Sequence, residues 1–348
     1  MHGETRERSA GALAAKVDFL SRPASYDPPP LQVDTRETHM SWVFLAGDRV
    51  YKLKKPVRFP YLDFSTLDRR ETACRAELRL NRRLAPDVYL DVVPLTDDGG
   101  SLRIGGEGAP VDWLVKMKRL DERLMLDHLI ETGALTIAQL ERLAATLDRF
   151  YRVASPVTLP AEAYLADWWQ SLAYNRRVLL DPDLNMPAGL VRRVDLAQRR
   201  FLQRHGALIA ARLRHRRIVD GHGDLRPEHI WLDDRVRIID CIEFNARLRV
   251  VDPFDEIAFL GLECERLGAA WAGAWLERRM KRCLRDGPAE ALFTFYRCHR
   301  ATLRARLAIA HLLEAHPRTP DKWPGLARNY LALADAAGRR LNAMLRTP

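Results

Sequence analysis

Two aspartates sixteen positions apart, Asp224 and Asp240, are the residues of this 348-residue chain best placed to do chemistry. Asp224 closes His222-Gly223-Asp224, and Asp240 ends the apolar run Ile238-Ile239-Asp240 after a hairpin-like stretch. One such acid orients or deprotonates a hydroxyl while the other holds a divalent ion on a phosphate chain, which is what phosphoryl transfer demands. That chemistry also needs a cation on the phosphates. Lys52 lies in a strand-like run, where period-2 alternation puts Val50, Lys52 and Lys54 on one face and Tyr51, Leu53 and Lys55 on the other. It is either an ordinary exposed strand lysine or the group that reaches a nucleotide. Glu71 and Glu77 both look back from the next helix. Glu77, one turn before Asn81 and among Leu78, Leu80 and Leu84, is the preferred partner for Lys52.

The elements that would position these groups follow one another plainly. Residues 1–30 form an N-terminal extension with a short helix over 10–20, ended by Pro28-Pro29-Pro30, which no helix tolerates. Residues 31–118 read as a small sheet domain: a strand over 31–38, a hairpin of 41–45 and 49–53 about Ala46-Gly47-Asp48, and strands 89–95 and 111–117. Ser65-Thr66-Leu67-Asp68 opens its one helix, which runs to about Leu84. The Gly-rich turn from Gly99 to Gly108 is a hairpin tip, since no helix follows it to make a phosphate cradle. Residues 119–348 are mainly helical and carry the acid-bearing loop. Thr136 and Gln139 make a capping box for a helix to about Val153, and Trp168 and Trp169 lie as packing aromatics in a helix stopped by Asp181-Pro182. A helix over 191–213 follows. After the acidic hairpin, Asp252-Pro253 opens a helix through Leu267, and three or four more fill the chain to Leu345. The expected fold class is α+β: a bilobal plan with a small antiparallel-sheet lobe and a larger helical lobe.

Composition narrows the partners. Apolar residues at 47% and charged ones at 29% fit an ordinary globular core. The net charge of +10 suits an anionic ligand such as ATP, or else reflects arginine used as solvated surface. No basic run is interleaved with aromatics, so nothing points to nucleic acid. Five cysteines without CxxC spacing argue for reduced thiols rather than a disulfide frame or zinc site. No apolar run approaches ~18 residues and the N-terminus lacks an apolar core, so the expectation is a cytoplasmic protein with no signal peptide or membrane span.

The ordered set of strand lysine, helix glutamate, His-Gly-Asp loop and strand-end aspartate resembles the protein-kinase-like fold. In particular it resembles the aminoglycoside phosphotransferase-like family of small-molecule kinases, whose pattern is His-Gly-Asp-x-x-x-x-Asn, Ile-Asp and Asp-Pro-x-x-Asp. The matching residues are His222-Gly223-Asp224, Ile239-Asp240 and Asp252-Pro253-Phe254-Asp255, and the resemblance spans about residues 31–310. The stretches Thr38-His39-Met40-Ser41-Trp42-Val43-Phe44, Tyr51-Lys52-Leu53-Lys54-Lys55-Pro56 and Asp240-Cys241-Ile242-Glu243-Phe244-Asn245 are similar to a bacterial branch of that family described only as phosphotransferase-like.

The resemblance implies an enzyme that moves the γ-phosphate of ATP to a hydroxyl of a small molecule, with Asp224 as catalytic base. It implies Lys52 on the α- and β-phosphates, Glu77 fixing its ammonium, and Ser41 in the loop covering the nucleotide. Asp240 would carry Mg²⁺, Asp255 would brace the catalytic loop, and the backbone of Lys116, Met117 and Lys118 would form the adenine-binding hinge. Two stretches depart from the pattern. His229 stands where the family has Asn, and imidazole suits Mn²⁺ or Zn²⁺ better than Mg²⁺. Either His229 is a second metal ligand, or that role passes to Glu228 or Glu243, or the second metal is absent. The loop over 35–41 also contains no glycine.

Arg297, Arg300 and Arg304, spaced i, i+3, i+7 on a late helix, form a solvated face or line a pocket for an anionic acceptor. Two rival readings stay open: a catalytically inactive kinase-like binding protein, and a kinase that acts on a protein or RNA. The acceptor, the choice of ATP over GTP and the oligomeric state are not legible in the sequence.

Overall fold

The computed structural model describes residues 2–314, 317 and 319–345, with side chains described from residue 11 onward. The chain divides into two compact units. One is the chain up to Arg123 together with Arg237–Leu248; the other is Leu124–Val236 together with the chain from Arg249. The Asp240 segment therefore belongs with the sheet unit, although it follows the His222-Gly223-Asp224 loop in sequence.

In the first unit, α1 (His2–Leu20) precedes β1 (Val33–Glu37), β2 (Ser41–Ala46) and β3 (Arg49–Lys54). A small hairpin of β4 (Arg58–Phe59) and β5 (Leu62–Asp63) leads to α2 (Leu67–Asn81), β6 (Tyr89–Asp98), β7 (Ser101–Ile104) and β8 (Ala109–Lys118). Six strands form one antiparallel sheet in the order β1-β2-β3-β8-β6-β7. Alternation along the strands gives the sheet two apolar faces. Phe44, Tyr51, Leu53, Leu95 and Leu114 bury one against Leu20 of α1 and Tyr26. Val92, Val115 and Met117 bury the other against Cys74 of α2. Thr66 caps α2 by accepting the Arg69 amide at 3.3 Å. Three features were not expected from the sequence: α1 packs on the sheet, the glycine-rich turn carries β7, and the β4–β5 hairpin precedes α2.

The second unit contains α3 (Leu126–Glu131), α4 (Ile137–Val153), α5 (Ala161–Leu179), α6 (Ala188–Arg214), β9 (Val219–Asp220) and β10 (Ile230–Leu232). β11 (Val236–Ile238) lies at the border in sequence, and β12 (Val250–Val251), α7 (Pro253–Arg266), α8 (Ala270–Cys283), α9 (Glu290–Ala310) and α10 (Lys322–Met344) follow. The capping box of α4 is present, with Gln139 Oε1 accepting the Thr136 amide at 2.8 Å and Thr136 Oγ1 accepting the Gln139 amide at 3.3 Å. The core joins Leu179, Val191, Ile309, Tyr330 and Leu331 in one cluster and Val194, Phe259, Leu262, Cys298 and Ala334 in another. Among the described residues no helix is long and apolar enough to cross a membrane.

Trp168 packs as expected, its ring 4.7 Å from that of His299 and 5.7 Å from that of Tyr296. His299 Nε2 meets Ser171 Oγ at 2.8 Å. Burial, helped by the charges of Arg300 and Arg306, pushes its pKa down to about 3. The folded chain thus keeps this ring neutral in mild acid, while the unfolded chain protonates it below about pH 6.5. Stability from this site is complete above that pH and declines as pH falls toward 3. Urea unfolding at pH 7.5 and 5.0 is expected to show a loss to which His299 contributes up to about 1.4 kcal/mol per pH unit. His299→Gln should lose less over the same interval; an identical loss would contradict the assignment.

Candidate active site

The first unit gathers a cluster of five ionisable side chains. Lys52 Nζ lies 2.9 Å from Glu77 Oε1 and 2.7 Å from Asp240 Oδ1. Lys54, two positions on along the same face of β3, donates to Glu77 Oε2 at 2.6 Å and to Glu243. Alternation makes this sharing possible, because i and i+2 of a strand point the same way. Burial works against the Lys52 ammonium, but Asp240, Glu77 and Glu243 outweigh it and hold its pKa well above the usual lysine value. Burial likewise opposes ionisation of Glu77, and Lys52 and Lys54 overcome it, leaving its pKa below normal. Glu243 goes the other way, since burial dominates and raises its pKa. Glu77 is fully buried, whereas the Asp240 side chain is 45% exposed. The Asp240 carboxylate is thus the member of the cluster that solvent reaches.

Asp240 is held in the left-handed region, at φ +63°. Asp tolerates this conformation better than most residues, and surrounding contacts must fix it. Its amide donates to Tyr89 Oη at 3.1 Å, and the Cys241 amide donates to Asn81 Oδ1 at 2.9 Å. Arg237 anchors the start of the same segment on Asp87 at 2.8 and 2.9 Å. Helix α2 and strand β6 therefore supply both the partner of Lys52 and the supports of Asp240.

The His222-Gly223-Asp224 loop of the second unit is built around a buried carboxylate. Glu256 on α7 accepts the His222 amide at 3.0 Å and the Gly223 amide at 2.5 Å, and its other oxygen accepts Tyr151 Oη at 2.8 Å. That approach explains Gly221: a Cβ there would stand 2.4 Å from Val251 Cγ2 and 2.7 Å from Glu256 Oε2. Gly223 adds a φ of +88°, which a side chain disfavours. The sequence reading gave this bracing role to Asp255. Asp255 instead takes the Arg300 guanidinium through two bonds, at 2.9 and 2.6 Å, so the brace lies one residue further on. Asp252 caps α7 through the Phe254 amide at 2.9 Å and binds Arg212 at 2.6 and 3.0 Å.

At the loop's tip Arg226 Nε donates to Asp224 Oδ2 at 3.0 Å and a second nitrogen donates to Glu228 Oε1 at 2.6 Å. His229 Nδ1 bonds the Asp224 carbonyl oxygen at 2.9 Å, and its Nε2 accepts from Arg226 at 3.1 Å. Both ring nitrogens are engaged within the loop. As arranged, His229 braces the loop.

The other expected site residues lie as follows. Ser41 is buried at the start of β2, its amide donating to Thr38 Oγ1 at 2.9 Å and its carbonyl accepting the Thr38 amide at 2.8 Å, so its backbone closes a turn. Lys116 and Met117 lie inside β8, paired with Tyr51 and Val50 on one side and with Asp91 and Tyr89 on the other. The Lys118 amide donates to the Val88 carbonyl at 2.8 Å. Lys116 and Met117 are thus flanked by strands on both sides. Arg300 is buried on Asp255, Arg304 bonds Glu263 at 3.1 Å, and Arg297 bonds Glu265. Each arginine of the stripe thus meets an acid, Arg304 sharing Glu263 with Arg266. Sequence reasoning missed Lys54, Arg226 and Glu256, though the alternation had placed Lys54 beside Lys52.

The Asp240 carboxylate offers the hard, solvent-reaching oxygen that Mg²⁺ prefers, and fits a divalent ion. His229, with its ring nitrogens taken, does not fit a second one.

No family model matches the chain. An uncharacterized protein of Mycobacterium tuberculosis is 33% identical over 291 residues, or 82% of this chain and 56% of the relative; the chain spans about half the length of the curated relatives it matches. Among solved structures, a thermostable mutant of the aminoglycoside phosphotransferase APH(4)-Ia matches with a TM-score of 0.56 at 12% identity, over 95% of this chain and 99% of its own. A choline/ethanolamine kinase family protein from Mesorhizobium loti matches at 0.52 and 15% identity, over 96% and 95%. LicA in complex with AMP matches at 0.52 and 14% identity, over 89% and 92%. The fold is therefore protein-kinase-like, an antiparallel sheet unit with a mainly helical remainder. More narrowly, it is the form shared by aminoglycoside phosphotransferases and choline/ethanolamine kinases.

Proposed function

We propose that this chain is an ATP- and Mg²⁺-dependent phosphotransferase that moves the γ-phosphate to a hydroxyl of a small molecule. The observation that carries the reading is Lys52, held at 2.9 Å by Glu77 and at 2.7 Å by Asp240. A lysine fixed by a helix glutamate beside a solvent-reaching aspartate is what a phosphate chain and its metal ion require. The bound AMP of LicA, a protein of the same fold, supports a nucleotide as the donor. When bound at Asp240, the ion would neutralise charge on the phosphates. The chain's own groups do the rest. Lys52 binds the phosphates, Asp224 accepts the proton of the attacking hydroxyl, and Glu256 fixes the backbone from which Asp224 projects.

The expected result for Lys52→Ala is at least a tenfold weaker MgATP affinity by calorimetry, or a matching fall in kcat/KM, about 1.4 kcal/mol or more. Unaltered binding and turnover in that variant would remove Lys52 from the site.

A further inference from the structure

Asp112, near the start of β8, is a buried carboxylate whose two oxygens meet cations from two different helices. Lys16 of α1 donates to Oδ2 at 2.7 Å and also to the Val111 carbonyl at 2.7 Å. Arg70 of α2 donates through Nε to Oδ1 at 2.7 Å, and another of its nitrogens bonds the Phe64 carbonyl at 3.1 Å. The two helices cover opposite apolar faces of the sheet, so one carboxylate ties them together through β8. In sequence α1 belongs to the extension that precedes residue 31. In the fold it is joined by an ion pair to the network that holds α2.

Helix α2 is also the element that carries Glu77. At about 100° per residue, Arg70, Cys74, Glu77 and Asn81 fall on one stripe of it, and all four are buried. Arg70 meets Asp112, Cys74 packs with Val115, Glu77 meets Lys52 and Asn81 accepts the Cys241 amide. Arg70 and Glu77 are two turns apart, about 10 Å along the axis, so a slide or roll of α2 at Arg70 also moves the Glu77 carboxylate. Apolar contacts such as those of Leu13, Val17 and Leu20 tolerate small slides. A shielded carboxylate between two cations does not, because displacement leaves charge unpaired.

We propose that Lys16 and Asp112 are positioning residues for the nucleotide site: the Lys16–Asp112–Arg70 network sets α2 so that Glu77 holds the Lys52 ammonium where the phosphates bind. This rests on the phosphotransferase reading above. Neither residue need touch the nucleotide, since both act through Glu77. Helix α1 is then a working part of the sheet unit, and its lysine adjusts a lysine on the far side of α2 from the contact it makes. All members of the network lie within the sheet unit.

The test is a double-mutant cycle on the full chain, read as MgATP affinity by calorimetry, beside hydrogen–deuterium exchange of α2 without nucleotide. Lys16→Met is expected to weaken MgATP binding roughly fivefold in the wild-type background. In Glu77→Gln, where the group it positions is gone, the same change should cost less than about twofold. Lys16→Arg, which keeps the charge, should bind as the wild type does. Exchange in α2 should quicken in Lys16→Met while that of α4 in the second unit stays the same. An equal fold-loss in both backgrounds would overturn the proposal, as would unaltered affinity or unaltered α2 exchange in a folded Lys16→Met. Should Lys16→Met not fold, Asp112→Asn takes its place in the cycle. A wild type that binds no MgATP would overturn the phosphotransferase reading and the proposal with it. Quickened α2 exchange in Lys16→Met would then still report the contact, which tells that failure apart from failure of the network itself.

Discussion

Asp224→Asn is expected to lower kcat for phosphoryl transfer by roughly 10²–10⁴-fold, the range for loss of a positioned general base, while nucleotide affinity and fold stability change little. The amide keeps the size of the carboxylate but cannot take the proton of an attacking hydroxyl. Its structural cost is small, because the loop's supports do not depend on the carboxylate. Glu256 holds the amides of His222 and Gly223, and His229 bonds the backbone carbonyl of residue 224. Arg226 loses one partner and retains Glu228 at 2.6 Å and His229 at 3.1 Å. Thermal unfolding and nucleotide titration of the variant beside the wild type separate the two effects. A large loss of stability would show that Asp224 mainly holds the loop together.

Lys54→Met should produce the largest change in stability, a loss of about 3–5 kcal/mol, as when one member of a buried ion pair is removed. Lys54 is 1% exposed and shared between Glu77 and Glu243, both largely shielded from water. Methionine preserves the volume but leaves the shielded Glu243 without its lysine and Glu77, whose charge burial already opposes, with Lys52 alone. The loss belongs to the sheet unit, so urea unfolding should be followed by a probe specific to that unit rather than as one transition of the whole chain. Lys52→Met should cost less, because its partner Asp240 reaches water. Equal midpoints for wild type and Lys54→Met would show that the cluster adds nothing to stability.

The candidate site residues were legible in the sequence where type and spacing coincide. His222-Gly223-Asp224, Ile239-Asp240, the strand position of Lys52 and the helix phase of Glu77 each required only a local pattern, and the structure brings Lys52, Glu77 and Asp240 together. What local pattern does not encode was lost. Lys54 shares the face of Lys52, but a strand lysine reads as exposed until a buried acid is seen behind it. Asp255 and Glu256 are adjacent acids about 100° apart around α7, and only packing decides which one faces the loop. The His229 ring looked like a ligand because its partner Arg226 stands in an irregular turn, where no periodicity assigns direction. Strands of two to four residues, β4, β5 and β7, are too short for alternation to register.

The central claim, transfer of a phosphoryl group from a nucleotide held at Lys52 and Asp240 to a hydroxyl deprotonated by Asp224, is tested most directly with γ-labelled ATP. Wild type and Asp224→Asn would be incubated side by side with Mg²⁺ and a library of small hydroxyl compounds, with nucleotide binding measured on the same samples. The account predicts that both proteins bind MgATP and that only the wild type labels a small-molecule product. Equal labelling by both proteins, or failure of both to bind nucleotide, would contradict it.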